Sequence, residues 1–139
     1  MNILIPYLLF DGCCEQAMQF YQTCLGGALT LTKVKDSVLK DQMPEWLHQK
    51  TLHARLANGR IEVAASDWMR ADRAPQAGNT VCLYLTGDGS DELQTVFAKL
   101  SDGADVTDPL RNVPFGIYGA LNDKFGVRWM FQISRPEAH

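Results

Sequence analysis

The chain has 139 residues, 46% apolar and 21% charged, with a formal net charge of -3 and a pI near 5.5. That length fits one domain, or two small halves sharing one core, and the composition is ordinary for a soluble globular protein. The weak acidity leaves no basic footprint for nucleic acid or an anionic membrane, and no apolar run is long enough to span a bilayer.

The segment Met1–Pro6 lacks the basic start and cleavage site of a secretory signal. Cys13 and Cys14 are adjacent, and with Cys24 and Cys82 they form no CxxC spacing. Reduced thiols in a cytoplasmic protein are therefore expected.

Ile3 to Phe10 is a continuous apolar run closed by Asp11-Gly12, the pattern of a strand and a turn. Cys14, Ala17, Met18, Tyr21 and Leu25 then recur at helical spacing, and Gly26-Gly27 ends the helix. Ala28 to Lys33 alternates as a second strand. Val34 to Lys50 is irregular, with a short helical turn expected near Pro44. Thr51 to Ala57 and Arg60 to Ala65 form a hairpin around Asn58-Gly59.

Residues 68–78 read as a linker after a first module of about 1–67; the second module runs over about 79–135. Thr80 to Thr86 is a predicted strand, and Ser90 is a predicted N-cap for a helix carrying Leu93, Val96, Phe97 and Leu100. Gly103 ends that helix. A short strand over Ala104 to Thr107 and a loop over Pro109 to Phe115 follow. Gly116 to Asn122 leads into a turn at Asp123 to Gly126. Val127, Trp129 and Phe131 share one face of the last strand.

Both halves read strand, helix, strand, strand, strand. Phe20, Tyr21, Cys24, Gly27 and Ala28 match Val96, Phe97, Leu100, Gly103 and Ala104 at one constant offset. The fold class is thus α+β, two tandem βαβββ modules curling into a cup-shaped mixed sheet with the helices on its convex side. The concave side is a natural small-molecule cavity, unless Leu8, Phe10, Leu83 and Leu85 plug it.

This order of modules resembles the vicinal oxygen chelate superfamily of glyoxalases, bleomycin resistance proteins and dioxygenases. Pro6-Tyr7-Leu8-Leu9-Phe10, Phe20-Tyr21, Leu25-Gly26-Gly27, His53-Ala54, Ser66-Asp67 and Asp123 through Met130 resemble its PhnB-like branch. The resemblance implies a homodimer. In metal-dependent members it implies a divalent ion held by His and Glu on the first and last strands of each module. Those positions fall here on Pro6, near Val81, on Met130 and on Glu62, and Pro, Val and Met cannot hold a hard ion. No standard metal site and no cofactor are expected, which leaves room only for a divalent metal at a non-standard site. A ubiquinone methyltransferase label attached to some PhnB-like proteins finds no nucleotide-binding loop at Gly26-Gly27 or Gly87-Asp88-Gly89.

Alternation puts His53, Arg55 and Ala57 on one strand face, with Glu62 across the hairpin. His53 and Glu62 are either an acid–base pair in the cup, with Arg55 binding substrate, or a cross-strand pair on a solvated edge. Trp68, Tyr118 and Trp129 are candidates to line a ligand pocket, although an aromatic on a strand, Trp129 above all, also suits the core. Trp46 offers a pocket wall or a dimer contact. Cys13-Cys14 at a helix N-terminus is either a reactive thiolate or packing, and Asp67 reads as a turn residue. Three functions fit: a metal-free small-molecule-binding protein, a lyase or isomerase using His53 and Glu62, or a dimeric protein that sequesters an antibiotic-like compound without catalysis. The partner in each is a small molecule, with neither nucleic acid nor membrane.

Overall fold

The computed structural model describes residues 1–134. It divides into two compact units, Met1–Gln76 and a second beginning at Ala77. The expected end of the second module, Arg135, lies outside the described residues. Among the described residues no helix is long and apolar enough to cross a membrane.

Unit one runs β1 (Tyr7–Phe10), α1 (Cys14–Leu25), β2 (Ala28–Lys33), three short 3-10 turns, β3 (Thr51–Ala57) and β4 (Glu62–Asp67). Its four strands lie in the order β1-β4-β3-β2, with β1 parallel to β4 and the other pairs antiparallel. Unit two runs β5 (Leu83–Gly87), α2 (Ser90–Leu100), β6 (Asp105–Val113), β7 (Gly116–Asn122) and β8 (Arg128–Ser134). Its order, β5-β8-β7-β6, repeats the same connectivity with the same single parallel pair. Each unit is therefore a βαβββ module with a mixed sheet, and the fold is α+β.

Periodicity explains which face each sheet buries. On α1 the stripe of Cys14, Ala17, Met18, Tyr21 and Cys24 is buried. It covers the sheet face that carries Phe10, Ala54, Leu56, Val63 and Ala65, all buried too. In unit two, Val96, Phe97 and Leu100 of α2 serve the face of Leu121, Trp129, Phe131 and Ile133. Phe97 meets Phe131 edge-on at 5.1 Å between centroids. Burying each such side chain contributes about 1.5–3 kcal/mol, enough to offset the entropy of ordering it. The repeat seen in sequence recurs in backbone shape, since Gly27 and Gly103 both hold positive φ, at 100° and 72°.

Some expectations are corrected. The first strand starts at Tyr7, not Ile3, because Pro6 brings a carbonyl (Ala64 N–H to Pro6 O, 3.0 Å) but no N–H to extend the ladder. The loop expected over Pro109 to Phe115 is instead mostly strand, β6 continuing to Val113. An edge strand tolerates Pro109, and the register shifts around Asp108 are the cost. The hairpin turn spans 58–61 rather than Asn58-Gly59 alone, with Asn58 Oδ1 accepting from the N–H groups of Arg60 (3.3 Å) and Ile61 (2.9 Å). Ser90 is the first helical residue, with Gly89 in the cap position.

Candidate functional site

Each sheet has one face against its helix. The other face holds the candidate chemistry. In unit one, residues paired across strands share a face, so Tyr7 and Leu9 of β1 line up with Ala64 and Ser66 of β4. Arg55 of β3 stands opposite Ala64, and across β2 it stands opposite Thr30, while His53 stands opposite Thr32. Tyr7 and Leu9 are 48% and 51% exposed, large values for apolar side chains on a sheet.

Ala64 and Ser66 are small and buried, at 5% and 7% exposure, so they form the floor of a narrow trough that the larger side chains on either side cover. Tyr7 and Leu9 form one wall; His53 and Arg55 form the other. Strands two apart are separated by roughly 10 Å. The rings of Tyr7 and His53 nonetheless approach to 5.9 Å between centroids at a 33° tilt, so they lean toward one another over the floor. Leu8 and Phe10, expected as possible plugs of the cavity, pair with Ala65 and Asp67 and so point to the helix side. Leu83 and Leu85 do likewise in unit two, paired with Trp129 and Phe131.

The corresponding face of unit two is filled. There Tyr84 and Thr86 line up with Met130 and Gln132, which occupy on β8 the places that Ala64 and Ser66 occupy on β4. Tyr118 is half-buried on this face, opposite Gln132, with the Arg111 guanidinium 5.7 Å from its ring centroid.

The structure does not bring His53 and Glu62 together as the expected acid–base pair. Glu62 stands opposite Ala57, four positions along β3 from His53, or roughly 13 Å. Glu62 is instead held by Arg55, which donates to its Oε1 from Nε at 2.6 Å and from Nη2. Trp129 is also displaced from the expected pocket: it is 2% exposed, in the core face, with its Nε1–H donating to Asp123 Oδ2 at 2.9 Å. Trp68 is half-buried, donates Nε1–H to Arg73 O at 2.8 Å, and lines a surface groove with Asp72, Arg73, Ala74 and Gln76. Trp46 is exposed on the last 3-10 turn.

The positions expected to hold a metal do not fit one. Pro6 and Val81 precede β1 and β5, and Val81 is exposed. In the fold, the place in unit one equivalent to Met130 is Ala64, not Glu62, since each sits beside the exposed tyrosine of a first strand. Among the described residues no three His, Cys, Asp or Glu side chains gather to hold an ion.

Asp67 is not a turn residue. It ends β4, is 4% exposed, and accepts from the N–H groups of Cys14 (3.0 Å) and Thr51 (2.9 Å). It thus supplies the start of α1 with an acceptor that Cys13 does not provide. Its carboxylate also bears on the adjacent thiols. Burial first, then the Asp67 charge, pushes the Cys14 thiol up to about 12 and raises that of Cys13 as well. A reactive thiolate at this helix terminus is thereby disfavoured.

A stability consequence follows with a definite sign. The native Cys14 thiol keeps its proton while an unfolded thiol loses it above its ordinary value of 9.0, so stability is full below 9 and declines as pH rises toward 12. Unfolding free energies from urea titrations between pH 8 and 10.5 should fall by up to about 1.4 kcal/mol per pH unit above 9. The slope should flatten in Cys14→Ala; equal slopes in both proteins would contradict the assignment.

Tyr7, Leu9, Ala64 and Ser66 were not among the site residues expected from the sequence. Their signal is the alternation Glu62, Ala64, Ser66 against Val63, Ala65, Asp67 in β4, which marks a lane of small residues.

A family model described as 3-demethylubiquinone-9 3-methyltransferase matches residues 2–134. Among solved structures, protein PA1353 from Pseudomonas aeruginosa is 29% identical, with a TM-score of 0.86 over 98% of this chain and 100% of that one. A PhnB protein from Bacillus cereus is 24% identical, with a TM-score of 0.72 over 96% and 100% of the two chains. A glyoxylase/bleomycin resistance protein/dioxygenase domain from Frankia sp. EAN1pec shares 13% of residues, with a TM-score of 0.64 over 97% and 98%. The last two likenesses are of fold alone.

Proposed function

Because the chain belongs to the 3-demethylubiquinone-9 3-methyltransferase family and has the glyoxalase/bleomycin resistance/dioxygenase fold, we propose that it binds a small organic molecule in the unit-one trough without a metal ion. One observation carries this reading: small Ala64 and Ser66 stand in unit one where the larger Met130 and Gln132 stand in unit two. Apolar and aromatic walls with a few hydrogen-bonding groups are the ordinary lining of a ligand site. Thr30, Thr32, His53 and Arg55 supply those groups.

The family's descriptive name implies methyl transfer. The turns entering α1 and α2, 11–13 and 88–89, are too short for a glycine-rich phosphate cradle, and each helix connects strands at opposite edges of its sheet. The geometry thus supports family membership without supporting that reaction. Acid–base catalysis by His53 and Glu62 gains no support either, given their separation and the Arg55 contact. Sequestration of a ligand without turnover agrees with the trough as well as any chemistry does.

The same reading includes a homodimer and residence in the cytoplasm. Edge strands β1 and β5 and the exposed Ile3, Leu4 and Val81 support the dimer. The absence of a disulfide at Cys13, Cys14 and Cys82 supports the compartment.

Ala64→Met copies the unit-two arrangement into unit one and so tests the site. A compound panel screened by thermal shift should yield ligands that raise the melting temperature of the wild-type protein. Their affinity should fall at least about tenfold, 1.4 kcal/mol, in Ala64→Met. Ligands that bind both proteins alike would place the site elsewhere.

A further inference from the structure

The turn that joins β3 to β4 carries chemistry of its own. Asn58-Gly59 is the one asparagine-glycine pair in the chain, since Asn2, Asn79, Asn112 and Asn122 precede Ile3, Thr80, Val113 and Asp123. An asparagine side chain can close on the amide nitrogen of the next residue. That nitrogen and Cγ branch from the same Cα, so a bond between them makes a five-membered ring. A following glycine has no Cβ to hinder the approach.

The turn adds to this local chemistry. Asn58 Oδ1 accepts from the N–H groups of Arg60 (3.3 Å) and Ile61 (2.9 Å). These are two fixed donors aimed at the oxygen on which negative charge grows when Cγ is attacked. Among the described residues the Gly59 N–H has no hydrogen-bond partner, which leaves it able to give its proton to solvent base. Asn58, Gly59 and Arg60 are all exposed, so water and hydroxide reach them. The amide nitrogen that would leave, Nδ2, donates to Leu25 O at 3.2 Å.

We propose that Asn58 is a self-modification site: the folded turn promotes imide formation at Asn58-Gly59, and the products untie the hairpin from α1. Gly59 N gives its proton to hydroxide and bonds to Asn58 Cγ. The Cγ–Nδ2 bond breaks, and the nitrogen takes a proton from water and departs as ammonia. Water then opens the imide at either carbonyl to give aspartate or isoaspartate, with no oxidation or reduction. Either product lacks the donor that Leu25 O accepts from. It also sets a carboxylate at the negative end of α1, whose last turn carries no basic residue. Isoaspartate further adds a methylene to the main chain where space is short. A Cβ on Gly27 would lie 2.7 Å from Ala57 O and 2.8 Å from Asn58 Cβ, so helix end and turn are in direct contact.

The test incubates the protein at mildly alkaline pH, folded and, in parallel, denatured in guanidinium chloride. Mass spectrometry of the peptide holding Asn58 follows the loss of ammonia and then the conversion of amide to acid. Conversion should be about threefold or more faster in the folded chain, a small part of what buried donors achieve because this turn is exposed. A folded rate below that ratio, or below the denatured rate, would overturn the promotion by the turn. Asn58→Gln, which could close only a six-membered ring, should show no conversion at this position while keeping the wild-type circular dichroism spectrum. Asn58→Asp, and the converted fraction isolated by ion exchange, should melt about 2–5 °C below the wild type. Melting of both with the wild type would mean that the hairpin stays tied, and that half of the proposal falls.

Discussion

Gly116→Ala is expected to destabilise the protein by about 4 kcal/mol or more, the largest effect of any single methyl addition proposed for this chain. Gly116 opens β7 directly after the Pro114-Phe115 turn, with φ at 145°, a region that side chains rarely enter. A Cβ there would lie 1.9 Å from the carbonyl oxygen of Ile133, well inside contact distance. The obstacle is backbone in the β7–β8 ladder, where Ile117 pairs with Ile133, so it cannot swing aside as a side chain would. Relief requires parting those strands at the end of the sheet. Urea unfolding of Gly116→Ala against wild type measures the loss, and a change below about 1 kcal/mol would contradict this account of the β7–β8 junction.

Asp67→Ala is expected to cost about 3–4 kcal/mol, for a different reason. Its carboxylate serves two buried backbone donors, Cys14 N–H at the start of α1 and Thr51 N–H at the start of β3. Truncation strands both without water to replace the acceptor. Asp67→Asn keeps one amide oxygen and sets an NH2 group against the other donor, so its loss should be intermediate. The order wild type, Asn, Ala in urea midpoint is the expected result. Equal stability of Asp67→Ala and wild type would mean that the carboxylate does not hold the junction of β4, α1 and β3. Because this junction fixes the end of β4 beyond Ser66, ligand affinity should weaken along with stability.

Much of this architecture is written in local pattern. The α1 stripe, the strands Ala28 to Lys33 and Thr51 to Ala57, and the turn at Asp123 could be read because each rests on spacing or on glycine and aspartate chemistry within a few residues. The Asp123 turn shows this well: its Oδ1 accepts from Phe125 and Val127 N–H at 2.8 and 3.0 Å. The continuation of β6 past Thr107 was read as a loop because Pro109 looks like a breaker, and only the sheet order reveals that the strand sits on an edge.

The site was less legible for a physical reason. The pairing of His53 with Glu62 assumed that neighbours across a hairpin turn are neighbours in space, but the longer 58–61 turn places Glu62 opposite Ala57. Arg55, two residues closer, then takes the carboxylate. Asp67 looked like punctuation because its partners, Cys14 and Thr51, are remote in sequence. The trough was hidden in the apolar run of β1, where nothing local tells Tyr7 and Leu9 from Leu8 and Phe10; parallel pairing with β4 decides which pair faces the helix.

The central claim, that unit one holds the ligand on the sheet face turned away from α1, is tested most directly by amide NMR shifts recorded during titration with a compound from the thermal-shift screen. The account predicts that perturbations gather on Tyr7, Leu9, His53, Arg55, Ala64 and Ser66, and that they vanish in Ala64→Met. Perturbations gathered instead on β5 and β8, or around Trp68 and Asp72, with the β4 lane silent, would contradict it.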